Sequence, residues 1–164
     1  MMITTRVLLA HRREWWAVGS KILMAWEGVQ FSHCAIEIDG LVYESVWPEA
    51  RVIKKAEWLK KYRVAKQWEK HISEELADEM ESWFVDAVIG KTYSLWHLVT
   101  IGLTISSKKI QNLVSGREFD GSKALICTEA VGLWMTRFFN KKWNEFPDWL
   151  SLKDIENGAS EVFE

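Results

Sequence analysis

The stretch Phe31–Ser45 reads FSHCAIEIDGLVYES. Asp39-Gly40 stands between two runs of alternating apolar residues, a strong short-range sign of a two-residue hairpin turn. A fold at that point predicts strands between Ser32 and Val46. Ile38 then lies opposite Leu41, Glu37 opposite Val42, Ile36 opposite Tyr43 and Ala35 opposite Glu44. Side chains alternate along a strand, so His33, Ala35, Glu37, Val42, Glu44 and Val46 share one face. Cys34, Ile36, Ile38, Leu41 and Tyr43 share the other. A hairpin core has no need of an imidazole and a carboxylate. His33 and Glu44 come out as diagonal neighbours, about 7–8 Å apart at Cα. At that distance a carboxylate can orient an imidazole and stabilise its protonated form, the third role in a nucleophile–base–orienter triad.

The missing nucleophile is a thiol or hydroxyl delivered to the His33 face. KALICTEAVGLW, Lys123 to Trp134, offers Cys127 after a short apolar run and at the start of a predicted helix. The unpaired N–H groups and dipole of a helix start favour thiolate, and they can also bind an oxyanion. Each residue has a plainer reading. A histidine at a strand start is commonly structural. A cysteine among apolar residues is commonly a small core side chain, and Cys34 is read that way. Glu44 is a solvated strand residue in that plainer account, and Glu37 on the same face is a rival orienter. The case for chemistry rests on the conjunction of base, orienter and helix-start thiol.

Outward from the hairpin, Arg6–Ala10 reads as a short buried strand, and Trp15–Trp26 as a helix with one broad apolar face. Ala56–Tyr62 suits a helical turn and Tyr62–Trp68 a third strand of the sheet. Ser73 is an N-cap residue followed by Glu74 and Glu75. The helix it opens carries Leu76, Met80, Trp83, Phe84, Ala87 and Val88 on one stripe, with Gly90 as its C′ residue. Leu95–Val114 is a further helical region, Ser115–Lys123 a polar loop and Cys127–Phe139 a buried helix. From Asn140 the chain reads as a tail, Trp-rich and then acidic. Strands precede helices without regular β-α-β alternation. The expected class is therefore α+β, a small antiparallel sheet packed against helices, in a single domain over residues 1–164.

Composition narrows the function. The chain has 164 residues and a net charge of −2, which leaves no electrostatic footprint for nucleic acid. Two cysteines are too few for a disulfide framework. The N-terminal stretch lacks a signal peptide's long apolar segment, so a cytoplasmic or virion-associated protein is expected. The longest nearly apolar run, Leu95–Ile105, is too short to span a bilayer. Eleven tryptophans spread along the chain read as core and pocket lining. No short-spaced Cys/His ligand pair exists beyond His33-Cys34, whose side chains point apart, so no metal or other cofactor is expected.

FSHCAIEIDGLVYES, then GKTYS, then LICTEAV resemble, in that order, the circularly permuted branch of the NlpC/P60 papain-like cysteine hydrolase superfamily. In that branch the histidine strand precedes the cysteine helix, as His33 precedes Cys127. The resemblance covers about Val18 to Trp134 and implies a permuted papain-like fold. It implies Cys127 as nucleophile, His33 as base, Glu44 as third member and Tyr93 near the oxyanion site. Thr128 stands where serine is common, and the Gly-Asp opening of the first strand is missing. The implied activity is that of a cysteine hydrolase, an amidase or peptidase acting on peptides such as those of the cell wall (peptidoglycan). A lipid-directed acyltransferase or thioesterase is the alternative, with Leu95–Ile105 as an acyl pocket. A non-catalytic assembly module, for instance in a phage virion, is a third reading.

Overall fold

The computed structural model describes residues 1–13, 21, 24, 25, 27–93, 124–144 and 150–163. Five strands form one antiparallel sheet: β1 Met2–Arg12, β2 His33–Ile38, β3 Leu41–Glu44, β4 Arg51–Lys54 and β5 Tyr62–Ser73. Their order is β4-β3-β2-β1-β5, so the histidine strand is the central one. The α-helices among the described residues are α1 Lys55–Lys61, α2 Glu74–Ala87, α3 Cys127–Phe139 and α4 Leu152–Phe163. A short parallel pair, β6 Thr92–Tyr93 and β7 Ala124–Leu125, leads into α3. This is an α+β fold.

The hairpin has the register that Asp39-Gly40 dictates, with Ile36 opposite Tyr43, Glu37 opposite Val42 and Ile38 opposite Leu41. Both turn residues hold positive φ, 46° at Asp39 and 80° at Gly40, as a type I′ turn demands. Asparagine, aspartate and glycine tolerate that region better than other residues, which is why the dipeptide is legible.

Alternation along the strands divides the interior in two. Val7 and Leu9 of β1 and Cys34, Ile36, Ile38 and Tyr43 of the hairpin join the larger core, which α2, α3 and α4 cover. Leu8, Ala10, Ala35 and Val42 point the opposite way and join Trp58 of α1 and Tyr62 of β5. β2 is buried on both faces, as its unbroken burial shows. At about 25 cal/mol per Å² of apolar area removed from water, the two layers hold this central strand from both sides.

Several elements differ from the sequence expectation. The first strand runs from Met2 to Arg12, well past Arg6–Ala10, because Thr5 is buried and bonds the Glu37 carbonyl at 3.0 Å. Tyr62–Trp68 is in the sheet as expected, but as part of the longer β5, an edge strand that pairs with β1. The hairpin is flanked by β1 on one side and on the other by β4, which is hidden in the sequence by its length of 4 residues and its charged ends. The acidic tail contains α4, which buries Leu152, Ile155, Gly158 and Ala159 at helical spacing. Its start is signed by Ser151 and Asp154. The Asp154 amide donates to Ser151 Oγ at 3.2 Å and the Ser151 amide to Asp154 Oδ2 at 2.8 Å, a capping box.

The other helices follow expectation closely. Ser73 Oγ accepts from the Leu76 amide at 3.2 Å and starts α2, whose Met80 and Phe84 are fully buried. Val88 is the C-cap, so Gly90, at φ 83°, lies one residue beyond the expected C′ position. α3 has the predicted bounds. The helix expected over Trp15–Trp26 falls largely outside the described residues, with Lys21, Met24, Ala25 and Glu27 helical. The expected elements over 95–114 and 115–123 lie outside them altogether, and so does the Leu95–Ile105 acyl pocket of the alternative reading. Among the described residues no helix is long and apolar enough to cross a membrane.

Candidate active site

His33 is the first residue of β2 and Glu44 the last of β3, so the hairpin brings both to the same end of the sheet. The His33 Nε2 lies 2.6 Å from Glu44 Oε2, and the two residues are 6% and 1% exposed. The diagonal pairing predicted from the turn therefore becomes direct contact. Glu37, the rival on the same face, is engaged elsewhere. Its Oε1 accepts from Arg6 Nη1 at 2.8 Å and its Oε2 from Lys55 Nζ at 2.7 Å.

Three residues complete the Glu44 environment. Trp58 Nε1 donates to Oε2 at 2.8 Å, and Arg51 donates to Oε1 through Nε at 2.8 Å and Nη2 at 2.6 Å. Tyr62 stacks on the imidazole, with centroids 5.1 Å apart and planes at 26°, and its ring also stacks on Trp58 at 4.7 Å. The imidazole is held in its plane by the ring and in its rotation by the carboxylate. Burial alone would raise the Glu44 pKa. His33, Trp58 and Arg51 outweigh it and bring it down to about 2, so the carboxylate is ionised at neutral pH.

Cys127 opens α3 directly after the N-cap Ile126, which supplies no side-chain cap to the first turn. It lies in the same buried cluster as Cys34, and the side chains of Cys34 and His33 both act on its thiol electrostatically. With Nε2 committed to Glu44, Nδ1 is the ring nitrogen left for the thiol. The Cys34 hydrogen bond favours thiolate, burial opposes it, and the bonding and charge of His33 add to the first, so the Cys127 pKa stands well below the thiol range. Burial also opposes protonation of His33. Tyr62, Cys127 and Glu44 outweigh it and hold the imidazole pKa well above its ordinary value. The directions of these shifts favour a thiolate–imidazolium pair, with the ionised Glu44 carboxylate behind it.

One expectation needs correction. The thiol does not arrive on the His33 face. Cys127 packs in the larger core with Cys34, on the opposite face of the sheet. The two chemistries meet because His33 is a strand-end residue, and α3 packs against that strand. Cys34, read from sequence as core filling, is buried in the same cluster as Cys127 and acts electrostatically on its thiol.

Tyr93 lies in β6, paired with Leu125, two residues before Cys127. The β6 edge is joined to the loop after Glu44 by a bridge between Glu49 and Thr92. Glu27 approaches from elsewhere. Its Oε2 accepts the Leu152 amide at 2.8 Å at the start of α4, and burial raises its pKa to about 7, with the nearby Cys127 charge adding to the shift. Trp58, Arg51 and Tyr62 were missed in the sequence. The only available sign was a tryptophan and a tyrosine spaced four apart at the end of a short helical segment. No group of three His, Cys, Asp or Glu side chains among the described residues is placed to hold a metal ion. No family model matches the chain, and no characterised protein does so either.

Proposed function

We propose that the protein is a cysteine hydrolase acting on amide or peptide bonds through an acyl-enzyme. The observation that carries this reading is the 2.6 Å contact of His33 with Glu44 at the end of β2, the strand against which the helix opened by Cys127 packs. Each group has the charge its role requires. The Cys127 thiolate attacks the carbonyl carbon, and the N–H groups at the start of α3 face the developing oxyanion. His33 gives its proton to the leaving amine as the C–N bond breaks. Neutral His33 then takes a proton from water, whose oxygen attacks the thioester and frees the acid. Glu44 stays ionised throughout and stabilises the imidazolium, while Trp58 and Arg51 hold it in place.

The resemblance to the permuted NlpC/P60 branch supports the same assignment, with His33 before Cys127 and Tyr93 beside the strand that leads into the nucleophile. On that resemblance the substrate is a peptide such as those of bacterial cell walls. The test is an electrophilic acyl probe, such as a peptidyl acyloxymethyl ketone, followed by peptide mapping. A stable adduct on Cys127 that disappears in His33→Ala supports the reading. Equal labelling in both proteins, or no adduct at all, argues for a non-catalytic module.

A further inference from the structure

The nucleophile has two partners from one strand. His33 and Cys34 are adjacent in β2, and their side chains leave the strand on opposite faces. The helix that Cys127 opens packs against this strand, and Cys127 shares a buried cluster with Cys34. One neighbour serves the chemistry just described. The other is a second thiol, and the chain contains 2 cysteines in all. Both are free, and they are 1% and 3% exposed in the same cluster. An alanine or valine would fill the Cys34 site and leave the nucleophile sulfur without a thiol in contact.

We infer that Cys34 is a resolving thiol, which captures oxidised Cys127 in a reversible disulfide and so switches the site off under hydroperoxide. The inference rests on Cys127 being the reactive nucleophile. The co-reactant is a hydroperoxide, small enough to reach a nearly buried sulfur. In the first step the Cys127 thiolate attacks the terminal peroxide oxygen. An S–O bond forms, the O–O bond breaks, and the departing alkoxide takes a proton from the His33 imidazolium. In the second step the Cys34 sulfur attacks the Cys127 sulfenic acid. The S–S bond forms, the S–O bond breaks, and hydroxide leaves with the Cys34 proton as water. Two thiols are oxidised by two electrons, and one hydroperoxide becomes an alcohol and water.

The placement suits this role. Sulfenic acid is trapped only when a thiol is already beside it, since further peroxide otherwise takes it to sulfinic acid. Burial keeps Cys34 protonated, so it does not compete with Cys127 for substrate. A thiol–disulfide reductant reverses the switch, because either sulfur of the disulfide accepts attack.

The experiment treats the intact protein with one to several equivalents of hydrogen peroxide, blocks residual thiols with N-ethylmaleimide and maps peptides by mass spectrometry. The expected result is a linked pair of peptides containing Cys34 and Cys127, loss of both maleimide sites together, and return of both in dithiothreitol. In Cys34→Ala, and in Cys34→Ser should the first variant fold poorly, Cys127 should instead progress to sulfinic and sulfonic acid and not recover. Wild-type Cys127 found as sulfinic acid with Cys34 still alkylated overturns the inference, and so does a disulfide between two copies of the chain. Iodoacetamide labelling of untreated protein separates the two readings. Fast labelling of Cys127 without the peroxide-driven disulfide overturns the switch alone, whereas absent labelling removes the nucleophile and the switch together.

Discussion

Glu37 and Glu44 lie on the same face of the same hairpin, and they are 2% and 1% exposed. Each is satisfied by charged partners. Arg6 and Lys55 hold Glu37. Glu44 pairs with Arg51 through one oxygen and with the imidazole of His33 through the other. Buried carboxylates with ion-pair partners are thus structural or chemical according to what faces them. Glu37 ties β1 to β2 and the start of α1, because Arg6 belongs to β1 and Lys55 to α1. Glu44 joins His33, Trp58 and Arg51, and in the proposed reaction it tunes the proton carrier.

The contrast can be broken first at the sulfur that only the Glu44 side serves. Cys127→Ala should lower hydrolysis by about 10⁴-fold or more, since the acyl-enzyme of the proposed reaction forms on its sulfur. Its thermal midpoint should stay within a few degrees of the parent. Retained turnover, or collapse of the fold, would make Cys127 a core residue like its neighbours.

The paired glutamine variants come next. Glu44→Gln should cut turnover by ~10²-fold and lower the His33 pKa, because an amide does not stabilise the imidazolium as a carboxylate does. Glu37→Gln should leave both unchanged and cost about 2 kcal/mol of stability, as Arg6 and Lys55 lose their counter-charge. NMR titration of His33 and chemical denaturation of the two proteins decide this. A His33 shift in Glu37→Gln and none in Glu44→Gln would exchange their roles.

A smaller effect concerns pH. The Cys127 pKa is lowered and that of His33 raised, so the reactive pair exists across the neutral range and persists as acid is added. Iodoacetamide alkylation of Cys127 should fall by only about threefold from pH 8 to pH 6, where an ordinary thiol falls by ~10²-fold. Cys34 should stay unlabelled. A steep tenfold loss per pH step at Cys127 would show an ordinary thiol without its imidazolium.

Glu27 extends the comparison to a third glutamate, one whose surroundings oppose its charge. Its folded pKa of about 7 lies above the ordinary 4.5, so the folded protein binds this proton more tightly than the unfolded chain. That contribution is complete below pH 4.5 and is lost as pH rises through 7. Between pH 5 and 8 the parent should lose on the order of 2 kcal/mol that Glu27→Gln retains, since glutamine still accepts the Leu152 amide. Parallel stability curves for the two proteins would remove Glu27 as a source of pH dependence.

The hairpin was legible because its signals are local. Asp39-Gly40 sets the turn, the turn sets the register, and register with strict alternation puts His33 and Glu44 on one face. α2 and α3 were legible for the same reason, through the Ser73 cap and the apolar spacing of each helix. β4 was not, because a strand of 4 residues with an arginine and a lysine at its ends carries too little pattern. α4 was overlooked although Ser151 and Asp154 mark its start, because its acidic composition drew attention away from Leu152, Ile155 and Ala159.

The sequence alone determined which groups could do chemistry and which face of the hairpin each would take, since alternation and turn geometry act over a few residues. Tertiary structure decided the rest. It brought Arg51, Trp58 and Tyr62 around Glu44 and His33, through strand and helix pairings that no short spacing encodes. It also delivered Cys127 over the Cys34 face rather than the His33 face, because the large core lies there and α3 must bury its apolar side against it. The proposed nucleophile and base come together because His33 stands at the end of its strand, where a side chain can be reached from both sides of the sheet.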